Sequence, residues 1–403
     1  MIFVGDWAPQ DIRIAVLLED DYLVLNLEGP LASRPISTSE LESFQELKSG
    51  PLLWSESFPV FSGRIIYNLA NNHFSDLGEY FAKSTITEIV AAGDSYCGYG
   101  DTESDSRQPL YFEYQGRKIG YLSITEKQFG EATSDRSGTA VTGPWVYDSI
   151  LEMKALCDFV VISIHAGAED FPWPLPFWQE LYRSYISNGA NLVVGHHPHI
   201  PQGFEYFREG FIAYGLGNFA VKPEVWGETF GGLWSLGIKL NFFNDNPVIS
   251  VLYLEQVRQS LGQFSHVVRE SKDSEFVEFI KEQNRLLTSP GIIEHLWQHL
   301  ARDLWINYLK NYYVNMFQTK TTFTKIKQFI RKILKLESEL SAVRSRQTNK
   351  LLIYHALSCD THRQIAMIAM STESCVDSNF CTESTQLLLN HRDRLRSFRK
   401  SLQ

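Results

Sequence analysis

The sequence contains no run approaching twenty apolar residues, which excludes a helix that spans a bilayer. Cysteine is scarce. Five residues, Cys97, Cys157, Cys359, Cys375 and Cys381, are spread over 403 positions and are odd in number. They are expected as scattered buried thiols rather than a disulfide framework. No internal repeat and no Gly/Ser linker is present. The start, Met1-Ile2-Phe3-Val4-Gly5-Asp6, lacks the basic residues and longer apolar run of a signal peptide, so a cytoplasmic protein is expected. Basic residues are few in the first part, with 15 Lys and Arg against 33 Asp and Glu through residue 255. Residues 256–403 reverse this, with 22 against 14. Two modules facing different partners are expected. The acidic first part, without a nucleic-acid-binding motif, argues against a nucleic-acid partner.

A length of 403 residues exceeds one ordinary domain. The hydrophobic fraction of 44% is enough for packed cores and excludes a mainly disordered chain. Through residue 255, short apolar strands alternate with helical stretches. Strands are expected at 2–4, 22–25, 64–67, 159–164 and 191–194, with helices at about 77–92, 147–156 and 174–188. Hairpins are expected around Gln115-Gly116-Arg117, Arg208-Glu209-Gly210 and Asn244-Asp245-Asn246-Pro247. From about 260 the spacing becomes helical, with helices at about 275–287, 291–316, 322–346, 349–357 and 382–399. The expected division is 1–258, a mixed α/β sandwich, and 259–403, a helical C-terminal module.

Ionisable and polar residues gather where the expected strands end. Asp6 follows the first and Glu28 the second. Asn71-Asn72-His73 follows the third, with Asp76 and Gly78 just beyond. His165-Ala166-Gly167-Ala168-Glu169 and Gly195-His196-His197-Pro198-His199 follow the strands at 159 and 191. Ligand sites of open α/β sheets lie at the carboxyl ends of their strands. Imidazole, carboxylate and carboxamide together suit a first-row divalent ion such as Mn, Fe or Zn, and no cysteine lies near to make a thiolate site. Each strand-end Asp or His alone reads more simply as a cap or a hydrogen-bonded structural group. Three imidazoles in four residues are harder to explain without a ligand.

These segments, with Gly98-Tyr99-Gly100, Gln202 and Tyr214-Gly215-Leu216-Gly217-Asn218-Phe219, resemble the CapA-type family of poly-γ-glutamate capsule synthesis. That family's fold is similar to the calcineurin-type metallophosphoesterases. The resemblance spans residues 5–219 and does not extend into 260–403. It implies an α/β fold, a metallophosphatase-like four-layer α-β-β-α sandwich with mixed sheets, followed by the all-α C-terminal module read above. It also implies one or two divalent ions held by Asp6, Glu28, Asn72, His165, His197 and His199. His73 would protonate a leaving group or steady the transition state, and His196 and Glu169 would orient ligands or face the substrate. Asn218 would fix the loop beneath the site. Two departures stand out. Ala8 occupies the place of a metallophosphoesterase histidine, and Glu28 replaces a bridging aspartate.

Outside this set, Phe171-Pro172-Trp173-Pro174-Leu175-Pro176-Phe177-Trp178 reads either as a pocket wall or as a segment packed on the sandwich. Trp7, Trp226, Phe230 and Trp234 read as core or rim residues. Residues 323–340 form a basic amphipathic pattern, which suits an ordinary packed helix or one lying peripherally on an anionic membrane surface. His295 and His299 lack a third ligand and read as structural. The function expected from the resemblance is a metal-dependent, phosphoesterase-like hydrolase of capsule, surface-polysaccharide or poly-γ-glutamate biosynthesis. It would act on an anionic polymer or a phosphorylated small molecule. The alternative is a non-catalytic accessory that binds an anionic polymer or positions a synthase at the membrane.

Overall fold

The computed structural model describes residues 1–10, 12–32, 53–54, 59–223, 234–304 and 358–371. The chain opens with β1 (Ile2–Ala8), β2 (Ile14–Val16) and β3 (Tyr22–Leu27). The short strands β4 (Leu31–Ala32) and β5 (Leu53–Trp54) pair with each other. β6 (Arg64–Asn68) leads through helix Glu79–Ala91 to β7 (Ser95–Cys97). β8 (Tyr99–Gly100) then precedes the hairpin of β9 (Leu110–Tyr114) and β10 (Arg117–Thr125). β11 (Gly138–Thr139) pairs with β8, and helix Trp145–Leu156 returns the chain to β12 (Phe159–His165). Helix Pro176–Asn188 precedes β13 (Leu192–His196), β14 (Pro201–Phe207), β15 (Gly210–Leu216) and β16 (Asn218–Val221). Three long antiparallel strands end the series: β17 (Trp234–Phe243), β18 (Asn246–Leu261) and β19 (Phe264–Glu270).

These strands make two mixed sheets. One has nine strands in the order β2-β19-β18-β17-β1-β3-β6-β7, with β16 also pairing with β1. The other has six, in the order β14-β15-β13-β12-β10-β9. Parallel pairs fill the centre of each, β1-β3-β6-β7 and β10-β12-β13-β15. Helix Glu79–Ala91 covers the outer face of the nine-stranded sheet, its Ala82 and Ile89 packing with Leu23, Leu25 and Ile65. Helices Trp145–Leu156 and Pro176–Asn188 cover the outer face of the six-stranded sheet. The layer order is helix, sheet, sheet, helix, as the resemblance implies. The three expected hairpins are present, and their two central residues lie at positive φ in Gln115-Gly116 and Asn244-Asp245. That conformation matches the turn to the right-handed twist of the flanking strands.

Strand alternation sets the character of the space between the sheets. Phe3, Val24, Ile66, Tyr121, Val161 and Val194 pack into one core shared by both sheets. The next residues of the same parity are Asn26, Asn68, Ser123, Ser163 and His196, all buried. The gap is therefore apolar at one end and polar at the carboxyl end of the parallel strands. Asp6 joins the polar end through a bulge. Between Phe3 and Asp6 the β1–β3 register shifts, so that Phe3 faces Val24 and Asp6 faces Asn26. The extra residue turns Asp6 to the face that Phe3 occupies.

Beyond residue 258, where helical spacing is expected, the described residues include the strand β19. It pairs with both β18 and β2 and completes the nine-stranded sheet. Its burial is confined to Val267 and Val268, which hides its pattern. Helix Ser274–Thr288 also belongs to this first compact unit, which extends to His295. Phe276 stacks on Trp234 with ring centroids 4.5 Å apart. Arg183 donates two hydrogen bonds to Glu205, at 2.7 and 2.9 Å, while Arg183 and Gln179 both donate to the Leu287 carbonyl. The described residues from Leu296 belong to a second unit and are helical, in the remainder of Ile292–Leu304 and in Asp360–Ser371. The expected helices at 322–346, 349–357 and 382–399 lie outside the described residues, as do Trp226 and Phe230.

Two outcomes follow from this packing. A Cβ at Gly5 would lie 1.8 Å from the Gly217 carbonyl oxygen, so Gly5→Ala must separate β1 from the β15–β16 turn. The expected loss is about 1–3 kcal/mol or more, read as a lowered midpoint in thermal unfolding. Ending the chain at residue 258 would uncover Trp234 and the edge of β18. Loss of a cooperative transition is expected, and near-UV circular dichroism would detect it.

Candidate metal centre

At the polar end of the gap, β1, β3, β12 and the loops after β3, β6 and β13 bring their ionisable groups together. Asp6, Glu28 and His165 are fully buried, and Asn72, His196, His197 and His199 nearly so. Glu169 stands at the rim with its side chain 57% exposed. Asp6 lies inside β1 rather than after it, placed by the bulge described above.

Five carboxylate–imidazole approaches define the centre. His165 Nε2 lies 3.6 Å from Glu28 Oε1, and His196 Nδ1 lies 3.5 Å from Asp6 Oδ1. His199 Nδ1 lies 3.4 Å from Asp6 Oδ2 and 3.7 Å from Glu28 Oε2. His197 Nε2 lies 3.7 Å from Glu169 Oε1. Charge-assisted N–H···O bonds are shorter, about 2.7–2.9 Å. Donors at roughly 2.1 Å from a common tetrahedral ion would stand about 3.4 Å apart. Asp6 Oδ2, His196 Nδ1 and His197 Nδ1 are buried without a hydrogen bond among the described residues. Three donor sets lie close enough to share an ion: Glu28/His165/His197, Asp6/Glu28/His199 and Glu169/His197/His199. The residues present therefore fit a divalent cation in donor chemistry and in spacing.

Protonation supports the same fit. Burial opposes ionisation of Asp6, but His196 and His199 beside it hold its carboxyl well below the ordinary range. Burial, reinforced by His197, keeps His165 well below the usual imidazole value. His197 is pushed down by burial to about 3. Both are neutral near pH 7, with lone pairs to offer. His199 differs. Burial would lower it, but Glu28 and Asp6 outweigh burial and hold it well above its ordinary value. It carries a proton between two carboxylates, and a cation there would displace that proton.

A second ring of polar groups fixes these side chains. Asn26 donates from Nδ2 to Asp6 Oδ1 at 2.7 Å, and the same nitrogen lies 3.2 Å from His165 Nδ1. The opposite edge of that imidazole meets Asn72 Oδ1 at 3.0 Å. Asn71 donates to Asn26 Oδ1 and to the Leu27 carbonyl, and its own Oδ1 accepts from the amides of His73 and Phe74. This local turn sets the direction of Asn72 and His73. His73 Nδ1 pairs with Asp76 Oδ2 at 2.7 Å. Ser163 meets His196 Nε2 at 2.9 Å, which places His196 inside the gap between Ser163 and Asp6. Gln128 Nε2 lies 3.1 Å from His197 Nε2 and donates to Glu126 Oε1. Asn218 Oδ1 lies 3.0 Å from His199 Nδ1. His197 and His199 both have positive φ, 92° and 61°, a conformation that costs about 1–3 kcal/mol per non-glycine residue and clusters at functional sites.

The structure thus gathers Asp6, Glu28, Asn72, His165, His196, His197 and His199 in one place, with Glu169 at the rim. It also adds Asn26, Asn68, Ser163, Glu126 and Gln128. The first three had a signal in the sequence: each is polar between two apolar neighbours in a buried strand. Glu126 and Gln128 follow β10 and carry no comparable mark. The segment from Phe171 to Trp178 packs inward, with Trp173, Leu175 and Trp178 fully buried. It is a packed lead into helix Pro176–Asn188 rather than a pocket wall. Trp7 and Trp234 are core residues. A cavity of about 500 Å³ lined by Lys83, Tyr96, Gly98, Asp101 and Gln108 contains none of the ligand candidates.

Comparison with known proteins locates this centre in a family. The chain is 29% identical over 227 residues to the capsule biosynthesis protein CapA of Bacillus anthracis, covering 53% of each chain. It is 29% identical over 217 residues to the PGA biosynthesis protein CapA of Bacillus subtilis, covering 52% of this chain and 55% of that one. The chain thus spans about half the length of these curated relatives. Among solved structures, similarity extends to a hypothetical protein from Thermus thermophilus, at 14% identity and a TM-score of 0.36 over 63% of this chain and 98% of that one. A phosphatase from Mycoplasma pneumoniae matches at 13% identity and a TM-score of 0.35 over 69% of this chain and 95% of that one. The family model described as bacterial capsule synthesis protein PGA_cap matches residues 6–223, which include every ligand candidate of the centre, and the chain belongs to that family.

Proposed function

We propose that this protein is a metal-dependent hydrolase of the phosphoesterase type, acting in the biosynthesis of a bacterial surface polymer. The observation that carries this reading is the set of four carboxylate–imidazole spacings of 3.4 to 3.7 Å around the two fully buried carboxylates Asp6 and Glu28. Asp6, Glu28, Asn72, His165, His197 and His199 would hold one or two ions of Mn, Fe or Zn. Such an ion supplies Lewis acidity and activates water at neutral pH. The polymer context rests on the family, whose relatives are named for capsule and PGA biosynthesis.

The residues of this chain divide the remaining work. His73 is half-buried and held by Asp76, a pairing that orients the ring. In this reading it would give a proton to a leaving group. His196 has its ring nitrogens near Ser163, at 2.9 Å, and Asp6, at 3.5 Å, which supports a role in orienting Asp6. Asn26 holds His165 from behind, at Nδ1, while Asn218 meets His199 at the same Nδ1 that approaches Asp6 and Glu28. Substrates of this reading are an anionic polymer or a phosphorylated small molecule. The second reading is a non-catalytic accessory that holds an anionic polymer, and Ala8, which offers no donor, favours it.

The two readings separate on turnover. With Mn²⁺ supplied, hydrolysis of an aryl phosphate mono- or diester is expected, and the His197→Ala, His199→Ala double variant should fall to background. Full activity in that variant would end the hydrolase reading, whereas chelator-insensitive polymer binding without turnover would select the accessory. His73→Gln should lower kcat by about 10²–10⁴-fold while leaving Mn²⁺ affinity unchanged, because it removes a proton donor and no ligand. Parallel assays of turnover and calorimetric binding would check that division.

A further inference from the structure

The loop after β12 carries a carboxylate whose position the reading above leaves unused. Of the three donor sets, Glu28/His165/His197 and Asp6/Glu28/His199 are wholly buried and share Glu28. The third takes His197 and His199 from those two sets and adds Glu169. We propose that Glu169 is a ligand of the resident cation. This rests on the metal-centre reading and deepens it.

Three observations support the assignment. First, Glu169 Oε1 stands 3.7 Å from His197 Nε2, too far for a charge-assisted hydrogen bond and equal to the spacing of His199 Nδ1 from Glu28 in the buried sets. A carboxylate that only steadied the imidazole would sit closer. Second, the backbone fixes Glu169 opposite the histidines. The Ala166 amide donates to the His196 carbonyl at 3.1 Å, and the Asp170 amide donates to the Pro198 carbonyl at 2.9 Å. The Gly167 amide donates to the buried Glu126 carboxylate at 3.1 Å. The two loops are thus bonded together on both sides of Glu169. Third, the positive φ values at His197 and His199 turn the two imidazoles from alternate positions of one loop toward a common point. A loop relaxed for packing alone would not keep two such residues there. A ligand at the rim also has a chemical consequence. One coordination position would face solvent, where a substrate oxygen arrives, while the buried donors keep the ion in place.

The test is Mn²⁺ binding measured by calorimetry on the full chain, compared with Glu169→Gln and with Glu180→Gln. Glu180 is an exposed residue of helix Pro176–Asn188, so its variant removes the same charge away from the centre. Glu169→Gln should weaken Mn²⁺ affinity by more than about a hundredfold, beyond the roughly 10–100-fold that losing a partner of a ligand costs, and Glu180→Gln should leave it unchanged. Any smaller loss in Glu169→Gln, including altered turnover with affinity preserved, overturns the ligand role and makes Glu169 a substrate-facing group. An equal loss in Glu180→Gln would assign the effect to net charge and overturn it too. Absence of Mn²⁺ binding by the unaltered chain would instead sink the metal-centre reading itself. Thermal unfolding of both variants should match the parent, since both side chains are exposed.

Discussion

Two carboxylates, Asp6 and Glu28, sit fully enclosed between the sheets, and the architecture around them answers that constraint. An ionised carboxylate removed from water needs a counter-charge and hydrogen bonds, or it takes up a proton. Here the counter-charge comes from imidazoles. His199 is held in its charged form by the two carboxylates, while His165 and His197 are driven neutral by burial. One site thus holds imidazoles in both protonation states, set only by which neighbours each ring meets. A dry, anionic pocket with lone pairs aimed inward is a setting that a divalent cation completes.

The sandwich makes such a pocket possible because it gives the gap between its sheets two characters. Apolar residues of one parity fill the first part of each central strand, and polar residues of the same parity fill the last part. The apolar part supplies the core that the polar part cannot. It is closed at one side by Trp234 stacked on Phe276, with Phe279 and Ile280 in the same core, which binds helix Ser274–Thr288 into the first unit. The cluster is rigid for a further reason. Asn26, Asn218 and Gln128 engage Asp6, His165, His199 and His197 through hydrogen bonds, Asn71 holds Asn26, and Ser163 holds His196, which fixes ring orientation as well as position.

Much of the ligand set was legible because its residues stand at strand ends in short, dense motifs. His196-His197-Pro198-His199 and Asn71-Asn72-His73 are conspicuous in any sequence. Asn26 and Ser163 were less so. Each is a single polar residue in an apolar run, and only knowledge of which face of the strand is inward distinguishes it from an ordinary interruption. The segment from Phe171 to Trp178 left two options open, and burial of Trp173 and Trp178 chose between them. The strand β19 escapes a sequence reading because, although paired on both sides, its burial is confined to Val267 and Val268 and gives no clean period of two.

The sequence by itself determined much of the strand-and-helix order of the first unit, β19 excepted, together with the hairpin turns and the identity of the donors, since these depend on local periodicity, turn chemistry and residue type. Tertiary structure decided which donors meet. A one-residue bulge in β1 turns Asp6 into the gap, left-handed backbone at two histidines aims their rings, and register across two sheets brings Glu28 from β3's end to His165 at the end of β12. Those are properties of pairing between distant segments, and no local stretch of the chain encodes them.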